Sequence, residues 1–298
     1  MPELVYSPNC LAIELLEIHD PTDAYPDYSV EAQRKITRNR QRLKRAKIPF
    51  TTQVMGLLAT EDELMDILDS SKATRVTSTI LLDITSLPKR YFCFLLKRMM
   101  LLESYRNIIV TYTVPGPHGY AHGPLAEDPQ PSDNLPGYAA PAIYKPKALV
   151  ISVGFESLSI KSLLEMYIDT KRETKFILPF PPGGGATRRV WDTLRRMDLQ
   201  PEDINRDNIE SVASWDVEEV FKTLTHWDGG SKSLVLAPFG PKPHSLAMAL
   251  FALKNNVGMY YTQPKSYNPD YSRGRGPTWA YIVKWDGVPC YDRQVRVP

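Results

Sequence analysis

Five short segments of this chain collect side chains suited to gripping an anion or a polar ring edge. In Asp83-Ile84-Thr85-Ser86-Leu87-Pro88-Lys89-Arg90 a strand is expected to end and a helix to begin. Helix N-termini present free N–H groups and the positive end of the macrodipole, so they hold phosphate. Lys89 and Arg90 add positive charge there, and Thr85 and Ser86 offer hydroxyls. Asp83 would repel phosphate, which leaves it a ribose hydroxyl, a base edge or a metal ion. The alternative is that Thr85 or Ser86 caps the helix and Lys89 is solvated. The segment Phe239-Gly240-Pro241-Lys242-Pro243-His244-Ser245 has the same placement. Gly240 permits close backbone approach, Lys242 brings charge, and Ser245 either caps or binds. Gly154-Phe155-Glu156-Ser157 follows an apolar run, and Glu156 is either a site carboxylate or a first-turn residue favoured by the dipole.

The other two segments differ in kind. Pro181-Pro182-Gly183-Gly184-Gly185-Ala186-Thr187-Arg188-Arg189 is a glycine loop entering a basic helix start. It has neither the Gly-Lys-Ser/Thr ending of a P-loop nor a G-x-G-x-x-G. Arg188 and Arg189 oppose the dipole at such a position, and a bound anion would relieve that. Tyr261-Thr262-Gln263-Pro264-Lys265-Ser266-Tyr267, continuing to Arg273, mixes aromatics and amides. Tyr261 and Gln263 there can stack a base and bond its edge, or the stretch is an ordinary Pro/Tyr turn. His118 and His122 share an H-x-x-x-H spacing, but outside a helix that spacing has no fixed geometry, so no metal site is expected. No Ser–His–Asp order, metal cluster or cofactor fingerprint marks a catalytic residue.

These loops must be positioned by the elements around them. Residues 1–28 show little periodicity, and Ser29 to Lys47 reads as a helix with eight Lys or Arg and one Glu. Ile48 to Leu58 reads as a strand, and Thr60 with Glu61 and Glu63 begins a short helix ending near Ser70. Strands are then expected at 80–82, 107–113, 148–153, 175–178, 209–213, 233–236, 257–262 and 280–285, the last at an edge. Helices alternate with them, beginning at Pro88, after Ser157, at Ala186, at Val217 and at Ser245. The loop Val114 to Lys147, about 34 residues rich in Pro, Gly, His and Tyr, is long enough to be functional or disordered and is the best boundary between halves. The expected fold is α/β and Rossmann-like: mostly parallel sheet with helices on both faces, open to a division into two related halves. The expected domains are 1–75, an N-terminal segment whose basic helix packs on the first half; 76–147, the first half; and 148–298, the second. In such sheets ligands bind outside the carboxyl ends of the strands.

Composition sets the remaining bounds. Hydrophobic residues make up 43% and charged residues 23% of 298, enough to bury a sizeable core. No run of about 18 apolar residues suits a membrane span, and Met1-Pro2-Glu3-Leu4 lacks the basic and apolar regions of a secretory signal. Cys10, Cys93 and Cys290 are scattered without zinc spacing or a disulfide framework, so a cytoplasmic protein is expected. A net charge of +2 excludes bulk nucleic-acid binding as the default reading, although the basic stretch 34–47 can meet nucleic acid or face a partner. The 26 prolines stiffen loops, which suits a pre-formed site.

The segment from Leu81 to Pro115 echoes the one from Leu234 to Pro264. Both carry Pro-Lys entering a helix, and both end the next strand in Tyr-Thr-x-Pro. Through Asp83 to Arg90, Gly154-Phe155-Glu156, Ala237 to Lys242 and Tyr261 to Pro264 the chain resembles an uncharacterised bacterial family with those motifs. More distantly, strand–Asp-x-Thr–x–Lys–helix is similar to the CARF and SAVED sensor domains, which bind cyclic oligonucleotides in prokaryotic antiviral defence. Their loop carries a Gly-Gly-Thr-Lys type of turn, whereas here it reads Ser-Leu-Pro-Lys and Phe-Gly-Pro-Lys. The resemblance implies a Rossmann-like fold and a nucleotide-like ligand, and transfers no catalytic residue. The leading expectation is therefore a ligand sensor or assembly subunit that binds an anionic, nucleotide-like molecule. The alternatives are an enzyme acting on a nucleotide or phosphorylated substrate, with Asp83 or Glu156 as acid or base, and a structural subunit gripping a protein partner or a second copy of itself. No cofactor is indicated.

Overall fold

A computed structural model describes residues 12–21, 26–70, 79–117, 119–120, 124–141, 146–156, 160, 163–164, 174–181, 187–196, 205–231 and 233–292. In chain order the elements are β1 (Glu14–His19), α1 (Pro26–Arg45), β2 (Thr51–Gly56), α2 (Glu61–Ser70), β3 (Thr79–Asp83), α3 (Lys89–Leu101) and β4 (Asn107–Thr113). Then come β5 (Ala126–Pro129), β6 (Asp133–Asn134), β7 (Ala148–Ser152), β8 (Lys175–Pro179), α4 (Thr187–Arg196), β9 (Ile209–Val212) and α5 (Val217–Asp228). Last are β10 (Leu234–Pro238), α6 (Lys242–Asn255), β11 (Tyr260–Tyr261), β12 (Pro264–Tyr267), β13 (Thr278–Trp285) and β14 (Val288–Pro289). The chain forms two units: residues 1–113 with 277–298, and residues 114–276.

Unit 1 opens with the parallel pair β1 and β2, running from Glu14↔Thr51 to His19↔Gly56, joined by α1. Thr60 and Glu63 close a reciprocal capping box at α2: the Glu63 N–H donates to Thr60 Oγ1 (3.3 Å) and the Thr60 N–H to Glu63 Oε2 (2.7 Å). The main sheet has the order β14-β13-β4-β3. β3 and β4 are parallel, while β13 runs antiparallel to β4 from Thr278↔Thr113 onward. The sheet is therefore mixed, and the strand expected at an edge lies between β4 and β14. A register shift between Ile282 and Lys284 turns the Lys284 side chain inward. Its ammonium donates to the carbonyls of Met100 (3.0 Å) and Leu102 (2.9 Å), satisfying the C-terminal end of α3. Nine of the thirteen residues of α3 are buried, including Tyr91, Phe92, Phe94, Leu95 and Leu96. Burial pushes the Cys93 thiol up, so this cysteine stays protonated and inert.

Unit 2 holds an all-parallel sheet in the order β10-β7-β8-β9. All five residues of β7 (ALVIS) and of β10 (LVLAP) are buried, as continuous apolar strands covered on both faces require. β10 also forms a parallel bridge, Leu236↔Met259, to the chain entering β11. α6 is buried at every position from Pro243 to Ala252 and meets α5 through an edge-on Phe221–Phe251 pair with centroids 5.7 Å apart. Asp216 caps α5 by accepting the Glu219 N–H (2.9 Å). The long loop 114–147 contains ordered backbone: β5 and β6 pair antiparallel with β12 and β11. The sequence does not reveal these strands, for a physical reason. These pairs are two to four residues long and their partners lie more than a hundred residues away, so no local periodicity records them.

The internal echo is real at one level. Pro88 (φ −58°, ψ 151°) and Pro241 (φ −57°, ψ 155°) occupy the same cap position with the same backbone, each followed by a helix-initiating lysine and then by a chain segment parallel to the preceding strand. The likeness ends there. One segment belongs to a mixed sheet and the other to an all-parallel one. The grouping also differs from the expected halves, since 277–298 joins the first 113 residues.

Candidate functional site

In unit 2 the neighbouring parallel strands β7 and β10 end side by side, at Ser152↔Pro238. From β7 the chain goes on to β8 on one side, and from β10 it departs toward Met259 on the other. The two loops between these diverging connections are Gly154-Phe155-Glu156 and Phe239-Gly240-Pro241. They press against each other. A Cβ on Gly154 would overlap the Phe239 carbonyl oxygen, and one on Gly240 would overlap Ser152 Oγ. Both glycines are thus required by close packing of the two strand exits.

Beneath the loops lies a pair the sequence reading did not single out. Ser152 and His244 are wholly buried. His244 Nε2–H donates to the Ala213 carbonyl (2.9 Å), which leaves Nδ1 to accept the Ser152 hydroxyl proton (3.1 Å). Ser245 points its hydroxyl back to the carbonyls of Pro238 (3.3 Å) and Pro241 (3.2 Å). These three side chains brace the loops from below. Lys242 is the first residue of α6, half-buried, at the dipole end that favours anions.

Phe155 starts a chain of edge-on aromatic contacts. Its ring lies 4.7 Å from Tyr120, Tyr120 lies 6.1 Å from Tyr271, and Tyr271 lies 6.1 Å from Tyr267. The antiparallel bridge Tyr120↔Ser272 holds the two contributing segments together. Tyr271 is exposed and the other three are half-buried. Tyr261 is buried instead, its ring 5.6 Å from Phe239. Gln263 is buried too, with Nε2 donating to the Pro264 carbonyl (2.9 Å), while among the described residues its Oε1 has no hydrogen-bond partner. Within this loop, Tyr267 and Tyr271 offer the accessible rings and Tyr261 packs beneath.

Glu156, next to Phe155, accepts the Leu125 N–H at 2.8 Å. Burial raises its carboxyl pKa; the Leu125 N–H and then Arg189 and Arg196 on α4 pull it down, and Glu127 pushes it up again. A carboxylate whose pKa is raised in the folded state holds its proton more tightly there. Stability is then highest below the ordinary glutamate range and falls as pH rises toward the raised value. Glu156→Gln keeps the acceptor for Leu125 and removes the ionisation. The variant should match the wild type below the ordinary glutamate range and be the more stable of the two at pH 7, where the wild-type carboxyl is ionised. Denaturant unfolding across that pH range checks this, and a variant less stable than wild type at pH 7 would contradict it.

Nine of the fourteen sequence-derived candidates belong to unit 2: Gly154, Glu156, Arg188, Arg189, Gly240, Lys242, Ser245, Tyr261 and Gln263. The Arg188 side chain, Ser157, the glycines 183–185, His118 and His122 lie outside the described residues. The other five candidates form a strand end in unit 1. Asp83 Oδ1 accepts the Thr85 N–H (2.9 Å) and Thr85 Oγ1 accepts the Thr113 N–H (2.9 Å), so both shape the turn. Ser86 is exposed, Lys89 is buried, and Arg90 Nε donates to the Ala59 carbonyl (2.8 Å). Neither Thr85 nor Ser86 caps α3; the cap position is Pro88, which has no donor or acceptor side chain. Among the described residues no three His, Cys, Asp or Glu side chains gather as a metal site. Tyr267 lies in the loop expected to stack a base, whereas Tyr120 is a single tyrosine in the long loop with no local signal of its own. Arg196 and the Ser152–His244 pair left no local signal. Neither a protein-family model nor a curated protein matches the chain.

Proposed function

We propose that unit 2 is a Rossmann-like ligand sensor that binds an anionic, nucleotide-like molecule outside the carboxyl ends of β7 and β10. One observation carries the reading: the sheet order β10-β7-β8-β9 makes the connections from β7 and β10 diverge. At such a reversal open α/β sheets form a crevice and bind nucleotides. The side chains at this place suit the parts of that ligand. A base stacks on the Phe155, Tyr120 and Tyr271 rings, for about 1–3 kcal/mol. Arg189, Arg196 and Lys242 supply positive charge for phosphate, and Glu156 accepts a ribose hydroxyl.

The test is thermal unfolding with inorganic phosphate, nucleoside mono- and diphosphates and cyclic oligonucleotides. A ligand present at about 100 times its Kd stabilises the folded state by about 2.7 kcal/mol. Phe155→Ala should weaken that ligand about 5- to 150-fold, in line with the loss of one stacked base. No response of the wild type to any member of the panel defeats the reading. A second reading, catalysis, is favoured by the raised carboxyl of Glu156, since acid–base groups work best when shifted toward neutral pH. Mass spectrometry after incubation separates the two: unmodified ligand supports sensing and converted ligand supports turnover.

A further inference from the structure

The charge of this protein is segregated. α1 carries seven Lys or Arg against Asp27 and Glu31, a net +5, while the whole chain is +2, so the remainder is net −3. At 100° per residue, Arg34, Arg38, Gln41, Arg42 and Arg45 fall within about 100° of arc and run for about 16 Å along the helix. All five are exposed. No acidic residue interrupts the stripe between Arg34 and Arg45, and its single ion pair among the described residues is the exposed contact Arg34–Glu31 at 3.6 Å. The opposite side of α1 faces inward: Leu43 is buried, and Arg40 Nε pairs with the buried Glu17 of β1 at 3.2 Å.

We infer that the α1 stripe is a sequence-independent contact for the phosphate backbone of duplex nucleic acid. Four guanidinium groups, spaced by about one helical turn, match a rigid polymer of repeating phosphates, and arginine's planar fork bonds phosphate in a bidentate way. An anionic membrane is a poor fit because Leu43, on the opposite side, is already packed within unit 1. A single strand is a poor fit because the stripe holds no aromatic platform. The inference is independent of the ligand site in unit 2.

Fluorescence anisotropy of the full chain with a mixed-sequence 24-base-pair DNA duplex, titrated from 50 to 300 mM KCl, tests it. Four phosphate contacts predict a slope of log K against log salt of about −3.6. The quadruple variant R34Q/R38Q/R42Q/R45Q should flatten that slope and weaken binding at least tenfold at 100 mM. It should unfold at the wild-type temperature, because glutamine is as good a helix former and the sites are exposed. A duplex RNA should bind similarly. The inference is overturned if the wild type does not bind at 50 mM salt or if the variant keeps the slope. It is equally overturned if polyglutamate, anionic vesicles or a single-stranded 24-mer bind as tightly as the duplex.

Discussion

Gly154→Ala should lower the midpoint of thermal unfolding by about 6–12 °C, the equivalent of roughly 3 kcal/mol for a unit of this size. The new methyl group would fall inside the Phe239 carbonyl oxygen, a backbone atom at the exit of a fully buried strand. No side-chain rotation can relieve that overlap. β7 and β10 must separate, and their separation strains the pairing from Leu234↔Ala148 to Pro238↔Ser152. Gly56→Ala is the control. A Cβ there meets nothing within 4 Å, so the substitution should be neutral or slightly stabilising through reduced freedom of the unfolded chain. The account fails if Gly154→Ala costs less than about 1 kcal/mol by thermal or denaturant unfolding. The same substitution should abolish ligand binding in unit 2, since the loop it displaces carries Phe155 and Glu156.

Lys284→Met should cost about 2–3 kcal/mol. The side chain is 4% exposed, and its ammonium serves the last carbonyls of α3, Met100 and Leu102, where the negative end of the helix dipole favours a cation. Methionine has similar length and fills the space, so the loss isolates two charge-assisted hydrogen bonds and leaves one buried and one part-buried acceptor unmatched. Burial pushes the lysine pKa down, which means that its desolvation offsets part of the gain and keeps the expected value below the sum of two such bonds. Urea unfolding measures the difference. A variant as stable as wild type would show that the acceptors are served equally well by solvent.

Local signals were legible in the residues themselves. The Thr60–Glu63 capping box, the proline that begins α3, the apolar runs of β7 and β10 and the loops after them could all be read because cap chemistry, φ restriction and burial act over a few neighbours. Gly240 could be read as a position of close approach, and the atom that approaches it is Ser152 Oγ. The same holds for the internal echo, whose two proline caps share their backbone angles because the same short motif imposes them.

What depends on distant partners could be read only from the tertiary structure. β13 looked like a last edge strand, yet it pairs with β4 more than 160 residues earlier and carries the lysine that closes α3. Tyr120 and Tyr271 meet across a bridge that nothing local specifies, so the loop from Tyr261 to Arg273 could be named for stacking but not which of its rings would be exposed. Hydroxyls on Thr85 and Ser245 looked available for a ligand, but the Thr113 N–H takes up the first and the Pro238 and Pro241 carbonyls take up the second. The sequence by itself determined which segments form strand exits and which carry charge. The fold decided which side chains at those exits face solvent, because burial and hydrogen-bond satisfaction are properties of the packed whole.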